Sequence, residues 1–349
     1  MRITTNFSLK HFNTFNVESV AARYVRFDTQ DEIIDYLARN LFADHPHLVL
    51  GGGSNLLFVD DFDGVVLHPM LKGIDVIAAD DSHIWLKAMA GEMWDDLVAH
   101  AVANGWGGIE NLSLIPGSVG ASAVQNIGAY GMEVKDVIER VEAISLIDCE
   151  PTTFSPADCC FGYRFSNFKG QWVGQFMITA VVFKLSRQPK FVLGYSGVRE
   201  AVARLGEAKL QSIRNAIIDI RKSKLPDPAT IGNAGSFFKN PVVAKAAMVT
   251  LRQAFPDLPH YPQDGNRFKL AAGWLIERCG WKGRQIGRVA VHDKQALVLV
   301  NLGGASGREI YSLSERVRES VKNRFNIDLE REVSVVPPGH AAQSLPDTM

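Results

Sequence analysis

The stretch Leu48-Val49-Leu50-Gly51-Gly52-Gly53-Ser54-Asn55-Leu56-Leu57 leaves an apolar strand-like run, passes three glycines and re-enters apolar sequence. A dinucleotide fingerprint needs G-x-G-x-x-G opening a helix, with an acidic residue about 20 positions on. Here Leu56 stands where the third glycine is required, and Leu57-Phe58-Val59 continues as a strand. No Gly-Lys-Ser/Thr follows, so a P-loop is excluded as well. What remains is a strand–glycine turn–strand unit, open to two readings: a tight structural turn, or a nest of free N–H groups for an anion.

Working outward, a second glycine-rich stretch, "NLSLIPGSVGASAVQNIGAYG" (111–131), carries Gly117, Gly120, Gly128 and Gly131 among Ser118, Ala121, Ser122 and Ala123. Side chains this small leave backbone free to press onto a planar or phosphorylated ligand. Leu114, Ile115, Val119, Val124 and Ile127 make it too apolar for a solvated loop. Two such segments point to one extended ligand rather than two isolated turns.

The chain of 349 residues is long enough for two or three domains. With 46% apolar and 21% charged residues its composition is that of a globular protein, and a formal net charge of -1 argues against nucleic-acid binding. The start, Met1-Arg2-Ile3-Thr4-Thr5-Asn6, has no apolar signal segment and no run is long enough to span a bilayer. The expectation is a cytoplasmic protein with reduced thiols at Cys149, Cys159, Cys160 and Cys279. Adjacent Cys159 and Cys160 are read as small buried residues, and His68, His100 and His292 lack nearby ligand partners, so no metal is expected.

Thr29 and Asp31 are placed to cap a helix carrying Ile33, Ile34 and Leu37, with strands at 47–50 and 64–67. His83–Ala88 alternates as a strand; Trp94, Leu97, Val98, Ala101 and Val102 then form one helix face ending at Asn104-Gly105. Strands are expected at 137–147, 176–185, 297–300 and 328–336, and helices at 208–224 and from about Gly307. Pro226-Asp227-Pro228 stops the first of these helices and marks a domain boundary. Helices and turns both separate the strands, which predicts an α+β fold. From Pro337 onward the sequence is polar and aperiodic, and a disordered tail over 337–349 is expected.

The segments "GGGSNLL", "ENLSLIPGSVGASAVQNIGAYG", "FGYRFSNFK", "KLPDP", "GNAGSFFKNP", "GWLIERCGWKGRQIG" and "LEREV" occur in the order found in the UDP-N-acetylenolpyruvoylglucosamine reductase family. The chain resembles that family from "SLKHFNTFNV" (8–17) to about residue 336. The resemblance implies three domains with an FAD-binding region of the vanillyl-alcohol-oxidase type: 1–70 (joined by a strand at about 328–340), 71–225, and a substrate-binding α/β domain at 226–327. It implies non-covalent FAD reduced by NADPH, and reduction of the enolpyruvyl double bond of UDP-N-acetylglucosamine enolpyruvate to UDP-N-acetylmuramate, with hydride from flavin N5. The family is usually monomeric and takes a small UDP-sugar, with no nucleic-acid or membrane partner. Another oxidase of the same flavin superfamily and a non-catalytic UDP-sugar binder stand as alternatives.

By the same resemblance Ser236 is the proton donor, and Arg164 and Glu332 stabilise the enolic intermediate. FAD falls to Gly51, Gly52, Gly53, Ser54, Asn55 and Leu56, and to Pro116, Gly117, Ser118, Gly120, Ala121, Asn126, Ile127 and Gly128. Substrate falls to Tyr195, in the loop "FVLGYSGVRE" (191–200), and to Lys224, Asn240, Lys282 and Gln295. Taken singly, a serine after glycine is a turn residue, a lone arginine a surface charge, and Lys224 a cation favoured at a helix C-terminus. An unperturbed serine can act as an acid only toward an enolate held by fixed positive charge. The chain departs from the family's Leu-Glu-Pro-Glu-Val at Arg331, which loosens the expected register of Glu330 and Glu332 and leaves Glu330 as the fallback, and at Ser334 it departs outside the chemistry.

Overall fold

The computed structural model describes residues 1–39, 42 and 45–337, and the expected tail from 338 on lies outside the described residues. The chain divides into two compact units. One takes residues 1–7, 21–53 and 63–223; the other takes 8–20, 54–62 and 224 onward.

In the first unit, a four-stranded sheet runs in the order Arg2–Ser8, Val20–Phe27, Phe62–Pro69, His47–Val49, the last two parallel with Leu48 opposite Val66. The helix Gln30–Ala38 starts at Thr29, whose hydroxyl accepts the Glu32 N–H at 3.2 Å, and it buries Ile33, Tyr36 and Leu37. A five-stranded antiparallel sheet follows, ordered Pro151–Phe154, Ile138–Ser145, Phe176–Ser186, His83–Met89, Ile74–Ala79. His83–Met89 alternates as its sequence dictates, turning Ile84, Leu86 and Ala88 inward. The helix Trp94–Ala103 buries its expected face, and Trp94 Nε1 donates to the Leu112 carbonyl at 2.9 Å. Phe176–Ser186 is buried almost throughout, feeding Val181, Phe183 and Leu185 into one core and Met177 into another.

The second unit is built on a four-stranded sheet ordered Gly232–Ser236, Val298–Asn301, Val289–Val291, Gln285–Ile286. The helix Gly307–Phe325 packs Ile310, Leu313, Val317 and Val321 into that core; Ser306 and Glu309 close a reciprocal cap at its start. Leu56–Phe58 pairs in parallel with Ser334–Val336, setting Leu57 opposite Val335. Both units mix helix with sheet, and the α+β expectation holds.

Two expectations need correction or trimming. The strand read at 328–336 is confined to Ser334–Val336; before it, only a single antiparallel bridge joins Arg331 to Phe238. Cys159 is buried, and burial pushes its thiol up to about 12, whereas Cys160 is exposed in a left-handed turn at φ 46°. The aromatic segment 161–169 is anchored by Phe168, which sits edge-on to Phe154 at 5.3 Å and beside Trp172 at 5.2 Å.

Candidate active site

Ser236 ends the edge strand Gly232–Ser236. Asn233 faces Val300 and Ser236 faces Val298, so one extra residue is inserted between them. Gly235, at φ 67°, supplies the backbone for this bulge, and bulges re-aim the side chains next to them. Asn233 fixes it by accepting the Gly235 N–H at 2.9 Å through Oδ1. The Ser236 hydroxyl makes no hydrogen bond among the described residues.

Directly after the serine, Phe237 and Phe238 are buried in the core of the second unit. The Phe237 carbonyl accepts the Glu332 N–H at 2.8 Å, and the Lys239 N–H donates to the Glu330 carbonyl at 2.9 Å. On its other side, the Glu332 carbonyl accepts from Asn55 Nδ2 at 3.0 Å, while the Asn55 carbonyl accepts the Ser334 N–H at 3.0 Å. Residues 236 and 332, nearly a hundred positions apart, are therefore held one backbone step from each other. Glu330 is committed elsewhere, its carboxylate 2.5 Å from Lys239 Nζ.

Arg164 occupies a two-residue turn closed by reciprocal Gly162–Phe165 bonds of 2.9 and 3.1 Å, with φ 54°. Its guanidinium donates to the Gly128 carbonyl and lies 5.1 Å from the Tyr163 ring. A Cβ on Gly128 would sit 2.9 Å from Arg164 Nη1, so a larger residue would displace that cation. Asn126 is fully buried; its amide donates to Gly162 O at 2.8 Å and its Oδ1 accepts the Lys135 N–H at 3.2 Å. The Ile127 N–H donates to Ser122 O, and its carbonyl accepts from Val134. Asn126 thus holds the turn that presents Arg164, while Ile127 ties its own segment to Ser122 and Val134.

The two glycine loops meet within the first unit. A Cβ on Gly52 would lie 2.7 Å from Gly117 Cα, and one on Gly51 would lie 2.8 Å from Ser118 Oγ and 3.0 Å from Ala121 Cβ. Gly120 lies equally close to Ala90, 2.8 Å from a notional Cβ. Among the described residues, the N–H groups of Gly51, Gly52, Gly53, Gly117, Ser118 and Ala121 have no acceptor. Clustered unpaired amides beside a left-handed Gly53 (φ 63°) fit a diphosphate, whose oxygens are acceptors only. Pro116 precedes these amides, and Ser54 and Leu56 lead from the turn into Leu56–Phe58.

Of the residues expected at substrate, Asn240 accepts the Ala272 N–H at 3.0 Å and so starts the helix Ala272–Arg278. Gln295 Oε1 accepts the Leu297 N–H at 3.3 Å and lies 3.2 Å from a notional Gly273 Cβ. Lys282 pairs with Glu277 at 3.0 Å. Lys224 is an exposed helix terminus. Tyr195, 52% exposed, stands edge-on to Tyr130 at 5.4 Å. The buried Asn111 joins their segments, donating to Tyr130 O at 2.9 Å and Val192 O at 2.8 Å.

Two features escaped the sequence reading. Arg221 has an enclosed Nε without a partner among the described residues, and burial lowers its pKa while Tyr130 and Asp95 oppose that shift. Asp95 pairs with Arg214 through 2.6 and 2.9 Å contacts and accepts the Leu114 N–H at 2.5 Å. Burial would raise the Asp95 pKa, but Arg214 and that N–H hold it below the ordinary value. The helical spacing of Asp95, Arg214 and Arg221 marks them only as polar positions; their partners lie too far along the chain to be read. A cleft of about 390 Å³ lined by His83, Asp136, Lys184 and Lys190 includes none of the expected site residues. Among the described residues, no group of three or more His, Cys, Asp or Glu is arranged to hold a metal ion.

Residues 227–336 match the family model described as "UDP-N-acetylenolpyruvoylglucosamine reductase, C-terminal domain", and residues 21–150 match that of an FAD binding domain. The UDP-N-acetylenolpyruvoylglucosamine reductase of Bacteroides fragilis is 44% identical over 95% of this chain and 99% of its own length. That of Neisseria gonorrhoeae is 47% identical over 94% and 96%. The crystal structure of the enzyme from Thermus caldophilus superposes with a TM-score of 0.67 at 25% identity, covering 96% of this chain and 98% of that one. Whole-length identity, both family models and the shared fold agree: the chain belongs to the UDP-N-acetylenolpyruvoylglucosamine reductase family.

Proposed function

We infer that this oxidoreductase of peptidoglycan precursor synthesis reduces the enolpyruvyl double bond of its UDP-sugar substrate with Ser236 as proton donor and with Arg164 and Glu332 holding the intermediate. The single observation that carries this assignment is the bulge that frees the Ser236 hydroxyl one backbone step from the fixed Glu332. FAD, when bound, would supply a hydride, taken from NADPH, to the methylene carbon of the double bond. Negative charge then grows on the carbon bearing the carboxylate and on that carboxylate. The Arg164 guanidinium, always charged, offsets it. Ser236 Oγ–H gives its proton to that carbon, and solvent restores the hydroxyl. Glu332 orients the serine and the enolic oxygen so that protonation occurs at carbon.

Gly51–Leu56 and Pro116, Gly117, Ser118, Gly120, Ala121, Asn126, Ile127 and Gly128 are proposed to hold FAD, the amides facing its diphosphate and Asn126 acting through the turn it fixes. Arg221 is a cation available to the same anionic group. Lys224, Asn240, Lys282, Gln295 and Tyr195 are proposed to hold the UDP-sugar, the lysines against its phosphates. The functional division proposed is 1–70 joined by the segment that carries the strand Ser334–Val336, then 71–225, and 226–327. Among the described residues, no helix is long and apolar enough to cross a membrane. We propose a cytoplasmic monomer without a nucleic-acid partner, in keeping with the formal net charge of -1.

Rapid mixing of Ser236→Ala tests the assignment. Reduction of the flavin by NADPH stays at the parent rate, while reoxidation by the enolpyruvyl substrate falls by roughly two orders of magnitude or more. Equal slowing of both half-reactions would make Ser236 a structural residue.

A further inference from the structure

Arg331 lies between Glu330 and Glu332, in the bridge to Phe238. The two backbone bonds flanking that bridge use Glu330 O and Glu332 N–H, so the N–H of residue 331 makes no bond among the described residues. A residue without an N–H therefore fits this backbone position without losing a bond. The Arg331 side chain instead reaches the helix Gly307–Phe325. Its Nη2 pairs with Glu315, its Nε donates to Ser314 Oγ at 3.2 Å, and its guanidinium lies 4.4 Å from the centre of the Tyr311 ring.

These contacts share one helix face. Residues 311, 314, 315 and 318 fall at i, i+3, i+4 and i+7. Arg318 donates to both oxygens of Glu315, at 2.8 and 3.2 Å, and through Nε to Leu329 O at 2.9 Å. Glu315 therefore joins two struts from the helix to the segment just before Glu332. The Arg331 side chain is only about a fifth exposed, so the pair is shielded from solvent screening. A loop residue held by a planar, bidentate-capable cation, a ring face and a hydroxyl is restrained in both translation and rotation.

We propose that Arg331, given the reading of Glu332 as a group of the reaction centre, is a positioning residue that sets the Glu332 carboxylate by tying its backbone to Tyr311, Ser314 and Glu315. The arginine takes over, through its side chain, the backbone restraint that a proline ring would impose at a position where no N–H is used.

The test uses the full-length FAD enzyme and compares Arg331→Ala, Arg331→Pro, Glu315→Gln and Glu332→Gln in the two half-reactions. Flavin reduction by NADPH stays within about twofold of the parent in Arg331→Ala, Arg331→Pro and Glu315→Gln. Reoxidation by the enolpyruvyl substrate slows at least about tenfold in Arg331→Ala, since small misplacements of a reacting group are costly. Arg331→Pro recovers most of that loss although it makes none of the side-chain contacts, which a purely stabilising salt bridge would not allow. Glu315→Gln slows the same step, and adding it to Arg331→Ala costs little more. Parent-rate reoxidation in Arg331→Ala beside a slow Glu332→Gln overturns the proposal alone. So does an Arg331→Pro enzyme that refolds stably yet stays as slow as the alanine variant. A Glu332→Gln enzyme at the parent rate overturns the reading of Glu332, and the proposal with it. Should Arg331→Ala fail to fold, Glu315→Gln carries the comparison.

Discussion

At the residue scale, Asn55 shows how one position serves two ends. Its side chain holds the Glu332 carbonyl and its backbone carbonyl holds Ser334, while the chain before it forms the glycine turn. Sequence alone groups Asn55 with the glycines because they are contiguous; nothing local signals a partner 277 positions away. Asn55→Ala keeps the backbone and removes only the amide. The expected enzyme retains its flavin, measured as bound flavin per protein, while substrate-dependent reoxidation drops about tenfold, the usual size for one lost charge-free hydrogen bond at a reacting group. Loss of flavin with unchanged reoxidation per bound flavin would show that the Asn55 side chain, and not its backbone alone, serves the cofactor. Ser236 was more legible. Gly-Asn-Ala-Gly-Ser carries the left-handed glycine a bulge needs, so its local backbone was visible in those five letters, whereas the role proposed for Ser236 rests on the family resemblance.

At the element scale, the two glycine loops behave as one piece, because Gly52 admits the Gly117 backbone at a distance no Cβ tolerates. Gly52→Ala therefore forces the loops apart and should weaken FAD binding at least about tenfold, read by flavin release during dilution. Unaltered affinity would show that the loop contact does not shape the cofactor site. The second loop has a further anchor in Asp95, which joins Arg214 to the left-handed Leu114 (φ 59°). Removing that charge as Asp95→Asn should cost about 2 kcal/mol at neutral pH, measured by denaturant unfolding. The Asp95 pKa is lowered by folding, so its stabilisation is complete above the unfolded value of about 4 and is lost as pH falls through the folded value. The gap between parent and variant should accordingly close below about pH 4; a gap independent of pH would put the effect in packing. The element with its own start signal at Thr29 was readable from the sequence. The segment 328–333 was not, because its apolar spacing resembles a strand while a single bridge and side chains from elsewhere, among them Arg318 and Asn55, together with Arg331, hold it.

At the scale of the whole molecule, composition and helix–strand alternation were sufficient for an α+β fold, but not for the way the chain is shared. Residues 8–20 and 54–62 leave the N-terminal half to join the unit that begins again at Lys224, and the triple-glycine motif is divided between the units after Gly53. Such sharing rests on pairings like Leu57 with Val335, which carry no local signature. The family relationship covers the whole length, so the activity is a property of the complete chain and is best tested on it. The most direct measurement is the visible spectrum of the flavin-loaded protein under anaerobic conditions. NADPH should bleach the flavin, and one equivalent of UDP-N-acetylglucosamine enolpyruvate should restore its colour with one equivalent of UDP-N-acetylmuramate formed. Bleaching that the enolpyruvyl substrate fails to reverse, with FAD still bound, would contradict the account.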